Sequence, residues 1–163
     1  YTASLDSFKH PIAIRYPRGY AQEIDWQKRF KKIPLKKAHY NQVGTEIAVI
    51  GIGTANYIVN PILEEFEEGL ISHLQLTFIK PLDEKKLKDI YLGHHTVIIL
   101  EDGALMGRAS SAILELFNTF KIAQNPEVIT LGIPDKFLEH GTEVLVLVPD
   151  GIKGAGELEV SDF

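Results

Sequence analysis

The sequence predicts an α/β fold, a three-layer α/β/α sandwich with a mostly parallel sheet between two layers of helices. From residue 45 onward, short apolar β-branched runs alternate with segments whose apolar residues recur at helical spacing. Glycine, proline or acidic residues follow each apolar run, as expected where a strand ends and a helix begins. Strand–helix alternation at this rhythm is typical of βαβ units joined by right-handed crossovers.

The first two predicted strands and the helix between them have the clearest patterns. Residues 46–52 are predicted to form a strand, because the apolar run that follows Glu46 and ends before Gly53 is typical of a strand buried on both faces. Apolar residues recur at helical spacing over residues 58–66, with glutamates between them and Gly69 after them. Residues 73–79 are predicted to form the second strand, which ends before Pro81.

The second half of the chain repeats this alternation. Asp83 is the predicted N-cap of a helix through Tyr91, because its carboxylate can accept a hydrogen bond from a free backbone N–H. The apolar run within residues 142–149 fits either a strand or a helix, since periodicity cannot separate the two over so few residues. The other predicted elements are a strand at 96–100, a helix at 109–120, a strand at 128–131 and a helical turn at 134–138.

Composition and charge exclude several classes of function. A net charge of −5 argues against a nucleic-acid-binding surface, and the nearest approach to a basic stripe, in residues 28–37, is outweighed by acidic residues elsewhere. The absence of cysteine excludes disulfides, thiolate catalysis and thiolate metal sites. No signal peptide is recognisable, and every apolar run is far shorter than the roughly 20 residues that cross a bilayer. We therefore expect a cytoplasmic protein that binds neither nucleic acid nor membrane.

Two short patterns could indicate chemistry but have simpler explanations. Residues 51–54 (GIGT) lie between a strand and a helix, yet they lack the spacing of a dinucleotide- or NTP-binding loop, so tight strand-to-helix packing is the better explanation. The side chains of adjacent His94 and His95 diverge on a regular element and make a poor chelate, so we expect both in an exposed loop. No nucleophile–base arrangement can be assigned from spacing.

Acidic residues and one histidine remain as open candidates. Glu101 and Asp102 lie at the carboxyl end of a predicted strand, where open α/β sheets place their ligand sites. They could bind a metal or act as a base, whereas helix capping alone would also account for Asp102. His140, beside Gly141, fits either a site residue or a loop or capping histidine.

Residues 11–19 (PIAIRYPRG) contain the strongest candidate for a binding residue. Residues 12–14 predict a short buried strand, which Pro17 and Gly19 end. Arg18 is well placed to meet an anion, because a planar guanidinium binds phosphate or carboxylate through two hydrogen bonds. From these residues alone, Arg15 and Arg18 are equally explained as solvated surface charges.

Four motifs, taken in order, resemble the 1-deoxy-D-xylulose-5-phosphate synthases, thiamine-diphosphate enzymes of the transketolase superfamily. They are residues 14–19 (IRYPRG), 78–83 (FIKPLD), 100–103 (LEDG) and 131–137 (LGIPDKF), the last followed by His140 and Gly141. The resemblance implies three parts. Residues 1–19 would be the last strand of a preceding pyrimidine-binding domain, residues 20–44 an interdomain linker, and residues 45–163 the transketolase C-terminal domain.

The resemblance also implies a reaction. Pyruvate is decarboxylated on thiamine diphosphate, and the resulting carbanion attacks glyceraldehyde 3-phosphate to give a precursor of isoprenoids and thiamine. The arginine of the family's Tyr-Pro-Arg-Gly motif binds the phosphate of the acceptor, and Arg18 occupies that position here. Arg15, Tyr16, Asp102 and His140 are expected at the edge of the site or at an interdomain contact.

The cofactor machinery of this family belongs to its earlier domains. These domains carry the groups that bind thiamine diphosphate and Mg²⁺, the activating glutamate and the catalytic histidines. We therefore expect no catalytic, cofactor-binding or metal-binding residue in this chain, no bound cofactor, and no activity of the chain alone. The expected partners are the preceding domains of the same chain and a second copy in a homodimer.

One departure from the family lies just before the predicted helix at 109–120. The family usually has a glycine pair there, whereas this chain has Gly107 followed by Arg108, within the stretch LMGRAS of residues 105–110. A glycine allows close packing at a helix start, so the role of this loop is altered. Another branch of the transketolase superfamily and a free-standing binding or assembly module of this fold are the alternatives.

Overall fold

The computed structural model describes residues 11–16, 27–104, 107–122, 124–133 and 148–149. The chain divides into two compact units, Tyr1–Leu35 and Lys36–Phe163. In the first unit, residues 11–16 form no strand, and Ile14 is 77% exposed. A strand needs a neighbour for its backbone hydrogen bonds, and the backbone of residues 11–16 shows no strand pairing. The strand predicted at residues 12–14 is therefore absent, while the assignment of 1–19 to a preceding domain stays a prediction.

The second unit contains a six-stranded sheet, among the residues that the structure describes, with the strand order β1-β3-β2-β4-β5-β6. The strands are β1 (His39–Gln42), β2 (Ile47–Ile52), β3 (Ile71–Leu76), β4 (Thr96–Ala104), β5 (Glu127–Ile133) and β6 (Val148–Pro149). The helices are α1 (Ala55–Leu63), α2 (Glu84–Gly93) and α3 (Ala109–Phe117). Strands β2 to β5 run parallel, while β1 and β6 pair antiparallel at the two edges. This architecture confirms the predicted mostly parallel α/β sandwich.

The sequence pattern did not predict the two edge strands of the sheet. Strand β1 lies within residues 20–44, the predicted linker, so part of that range belongs to the sheet. Its sequence, HYNQ, has no apolar alternation, and it is a strand because it pairs with β3. Within residues 142–149, the described residues Val148–Pro149 form a strand against β5. The helical turn predicted at 134–138 lies outside the described residues.

The core consists of two clusters, one on each face of the sheet. The larger cluster joins alternate residues of β2, including Ile50, to Leu87 and Ile90 of α2 and to Ile113 of α3. The smaller cluster joins Leu100 of β4 to apolar residues of α1. Helix α1 therefore covers one face, while α2 and α3 cover the other, because successive side chains of a strand point to opposite faces.

The direction of the crossovers reverses between β2 and β4. After β2 the chain moves through α1 to β3 on one side, and after β3 it returns through α2 to β4 on the other side of β2. In an open parallel sheet this reversal opens a crevice outside the carboxyl ends of the two strands, the usual position of a ligand site.

Candidate functional site

The carboxyl ends of β2 and β4 bring Gly53, Thr54 and Asp102 together. The Asp102 carboxylate accepts hydrogen bonds from the backbone N–H of Thr54 at 2.8 Å and from its Oγ1 hydroxyl at 2.7 Å. Gly53 has a φ of +66°, and a Cβ at this residue would lie 2.5 Å from the Asp102 carboxylate. Glycine is thus required both by the turn and by the close approach of Asp102. The neighbour of Gly53 is therefore a strand residue, whereas the strand-to-helix packing predicted for residues 51–54 is found at Gly51, where a Cβ would collide with the Asn56 side chain of α1.

Glu101 points to the opposite face of the sheet and is fully buried. Its carboxylate accepts hydrogen bonds from the backbone N–H groups of Ala109 at 3.4 Å and Ser110 at 3.1 Å, at the start of α3. Asp102 acts in the same way on Thr54, the N-cap residue of α1. Capping therefore accounts for both carboxylates, although Asp102 serves the helix after β2 rather than the helix after its own strand.

Arg108 precedes α3 in an extended conformation and is half-buried. Its side chain lies across Gly103, since a Cβ at Gly103 would meet Nη1 and would lie 3.0 Å from both Cδ and Cζ of Arg108. Gly107 has a φ of +70°, which turns the chain just before Arg108. The sequence difference from the family at Gly107 and Arg108 thus places a cation at the carboxyl edge of β4.

A buried polar network, which the sequence patterns did not reveal, extends from this edge into the sheet. His73 in β3 is fully buried, and its Nε2 lies 3.0 Å from Oδ1 of Asn56. Nδ2 of Asn41 donates to Nδ1 of His73 at 3.2 Å, and Nδ2 of Asn56 donates to the carbonyl oxygen of Gly53 at 2.8 Å. A Cβ at Gly51 would collide with the Asn56 amide, so glycine is required there too. In the sequence, the signal that could have revealed the buried His73 is a polar residue within a predicted apolar strand.

Burial lowers the pKa of His73. The geometry fits the neutral ring, because the Asn41 amide nitrogen can only donate and the Asn56 carbonyl oxygen can only accept. The proton of the ring therefore lies on Nε2.

His94 corrects the prediction of two exposed loop histidines. It is half-buried at the C-cap of α2, with Nδ1 2.9 Å from the carbonyl oxygen of Ile90 and Nε2 2.9 Å from Oγ of Ser72. The last carbonyl groups of a helix lack intrahelical partners, and a histidine at this position can satisfy one of them. His95 is exposed, as predicted.

Asp83 joins the beginning of the second unit to α2. Its carboxylate accepts from the backbone N–H of Lys86 at 3.4 Å, which confirms the predicted N-cap, and from the N–H of Ala38 at 3.1 Å. Nζ of Lys86 donates back to the carbonyl oxygen of Ala38 at 2.6 Å and lies 5.0 Å from the centroid of the Tyr40 ring. Burial, together with the carboxylates of Asp89 and Asp83, raises the pKa of Tyr40.

A family model described as "Transketolase, C-terminal domain" matches residues 36–148. The chain belongs to this family. The matched range begins where the second unit begins and includes β1.

Relatives of this transketolase C-terminal domain include curated 1-deoxy-D-xylulose-5-phosphate synthases. The synthase of Cytophaga hutchinsonii is 38% identical over 88% of this chain, and that of Dictyoglomus turgidum is 34% identical over 99% of it. The chain spans only 22% and 25% of the lengths of these relatives. A solved structure titled "Split gene transketolase, inactive beta4 tetramer" matches 76% of this chain and 38% of its own chain, with a TM-score of 0.56 and 17% identity. This structural similarity supports the fold.

Some of the site residues predicted from the sequence lie within the part of the chain that the structure describes. Arg15 and Tyr16 lie in the first unit, both exposed, and Asp102 lies at the end of β4. Arg18 and His140 lie outside the described residues. Where the structure describes the chain, it contains no group of three or more histidine, aspartate and glutamate side chains that could hold a metal ion. No described helix has the length and apolar character that membrane crossing requires.

Proposed function

We propose that this chain is part of a thiamine-diphosphate-dependent 1-deoxy-D-xylulose-5-phosphate synthase and supplies its C-terminal domain. The whole enzyme would join pyruvate to glyceraldehyde 3-phosphate, with release of CO₂, in the supply of isoprenoid and thiamine precursors. The observation that carries the proposal is the identity of 31–38% with curated synthases over 87% or more of this chain. Since the chain spans about a quarter of these relatives or less, the activity is proposed for the complete protein.

Arg18 is the residue proposed to contact substrate. A guanidinium binds a phosphate group through two parallel charge-assisted hydrogen bonds, as the acceptor glyceraldehyde 3-phosphate requires. Arg15, Tyr16 and His140 are proposed at the edge of this site or at a contact with another domain. The hydrogen bonds of Asp102 to Thr54 support a positioning role for that residue, since they fix the start of α1.

The carboxylates at the carboxyl edge of the sheet do not fit a thiamine diphosphate site. Mg²⁺ needs several oxygen ligands beside those of the diphosphate, whereas both oxygens of Glu101 accept hydrogen bonds at the start of α3 and Oδ2 of Asp102 accepts two from Thr54. The described residues also contain no group of three or more histidine, aspartate and glutamate side chains that could hold the ion. We propose that other domains of the same protein hold the cofactor and Mg²⁺. The partners of this chain would then be those domains and a second copy of the enzyme, in the cytoplasm.

The substitution Arg18→Ala in the complete enzyme tests the assignment. We expect a higher KM for glyceraldehyde 3-phosphate and unchanged decarboxylation of pyruvate, because the arginine would contact only the acceptor. The loss in kcat/KM should correspond to about 1.5–3 kcal/mol, the range for a hydrogen bond to a charged group. Steady-state kinetics with each substrate varied in turn measure both effects.

Arg29→Ala is the matched control, since Arg29 is an exposed arginine outside the motif. It should leave both steps unchanged. An Arg18→Ala enzyme with the wild-type KM for the phosphorylated acceptor would remove Arg18 from the site. A complete protein that does not form 1-deoxy-D-xylulose 5-phosphate at all would contradict the proposed function itself.

A further inference from the structure

The guanidinium of Arg108 is held in place at the carboxyl edge of β4. Its Cδ, Cζ and Nη1 atoms pack against the backbone of Gly103, and the side chain is half-buried. This contact restricts the side chain on one side and so lowers the entropy that anion binding would cost.

This cation has no counterion among the described residues. No carboxylate in that part of the chain lies within 4.0 Å of the Arg108 guanidinium. The nearest acidic residues along the chain, Glu101 and Asp102, already accept hydrogen bonds from Ser110 and Thr54 respectively. A partly desolvated guanidinium without a carboxylate partner attracts an anion more strongly than a fully solvated one.

The position of Arg108 agrees with the topology of the sheet. The crossovers reverse between β2 and β4, so the carboxyl ends of these two strands flank the crevice in which open α/β sheets bind ligands. Gly53 lies exposed at the end of β2, and the Asp102 carboxylate fills the space that a side chain there would need, so Asp102 borders the same edge. The N–H groups of Ala109 and Ser110 are occupied by Glu101, so binding here would depend on the guanidinium rather than on the start of α3.

We propose that Arg108 anchors an anion-binding site at this edge, whose ligand carries a carboxylate or a phosphate group. Both groups present two oxygens to the fork of a guanidinium, and lysine cannot reproduce this geometry. The site is separate from the acceptor-phosphate role proposed for Arg18 and does not depend on it.

Titration of the ¹⁵N-labelled chain with inorganic phosphate and, separately, with acetate tests the site by nuclear magnetic resonance. Ionic strength is kept constant with chloride, because screening alone changes the shifts of exposed charges. We expect saturable shifts of the Arg108 Nε–H and of the Gly103 amide, with half-saturation below roughly 10 mM for at least one anion. Tighter binding of phosphate would identify a phosphorylated ligand, and tighter binding of acetate a carboxylate ligand.

Variants of Arg108 distinguish anion binding at a specific site from non-specific attraction of anions to a positive charge. Arg108→Gln should abolish the saturable shifts, and Arg108→Lys should weaken binding several-fold while it keeps the charge. Arg29→Gln should bind like the wild type. If neither anion saturates, or if Arg108→Lys binds as tightly as the wild type, the proposed site does not exist. Circular dichroism of each variant verifies the fold, and Arg108→Lys provides the decisive comparison should Arg108→Gln fail to fold.

Discussion

His73 is fully buried in β3, and the two asparagines beside it occupy both of its ring nitrogens. A second ring proton would point at the amide nitrogen of Asn41, which is a donor and cannot accept it. Burial adds the cost of desolvating a charge. The folded state therefore holds His73 neutral, with its pKa lowered, over a range in which an exposed histidine takes up a proton.

This difference predicts that the stability of the domain falls in mild acid. Below about pH 6.5, the ordinary histidine pKa, the unfolded chain binds a proton at this residue that the folded chain does not. The contribution of His73 to stability is thus complete above that pH and decreases below it, by at most about 1.4 kcal/mol per pH unit until the lowered folded-state pKa is reached. Urea unfolding followed at a series of pH values from 8 to 5 measures the slope.

Two substitutions isolate the residue responsible. His73→Gln should flatten the decrease in stability between pH 6.5 and 5, because glutamine does not titrate. His95→Gln, at an exposed histidine, should leave the decrease unchanged. Equal slopes for the wild type and His73→Gln would contradict the interpretation of the network.

The residue scale also shows where sequence patterns fail. Asp83 was predictable as an N-cap, because a cap depends on residues only three positions apart. The partners of His73 lie 17 and 32 residues away, and Asp102 contacts Thr54 across 48 residues. Such contacts exist only once the sheet has formed, so no local pattern encodes them.

At the scale of elements, strands with a strong local pattern were predictable and edge strands were not. Strand β2 and helix α2 followed from an apolar run and a cap. Strand β1 has neither, and its pairing with β3 joins residues more than 30 positions apart. Asp83 supports this edge indirectly, because it binds the N–H of Ala38 just before β1 as well as the first turn of α2.

Asp83 both caps α2 and binds the N–H of Ala38, so we expect its removal to cost more stability than the loss of an N-cap alone. Asp83→Ala should lower the free energy of unfolding by about 2–3 kcal/mol, since removal of an N-cap costs about 1 kcal/mol and the buried N–H of Ala38 is also left without a partner. Asp89→Asn, an exposed residue of the same helix, should cost far less. Urea denaturation of the three proteins gives the difference. A loss no larger than that of the control would show that Asp83 does not hold the two elements together.

At the scale of the whole molecule, the second unit of the chain is a transketolase C-terminal domain. The family match begins with the second unit, and the curated synthases are about four times as long as this chain or longer. The carboxylates at the carboxyl edge of the sheet, where a cofactor could be expected, are used to cap α1 and α3. The domain boundary and the Arg18 assignment stay predictions, because both depend on residues beyond this sheet.

The occupied carboxylates lead to a final prediction about thiamine diphosphate. Isothermal calorimetry with the cofactor and Mg²⁺ should give no saturable heat with this chain, because both oxygens of Glu101 are bound at the start of α3 and the described residues hold no cluster of acidic and histidine side chains for the metal. The complete protein, titrated under the same conditions, should bind. Micromolar binding by the isolated chain would mean that a cofactor site lies within it, and would overturn the assignment of that site to other domains. No binding by the complete protein would instead contradict the proposed cofactor dependence.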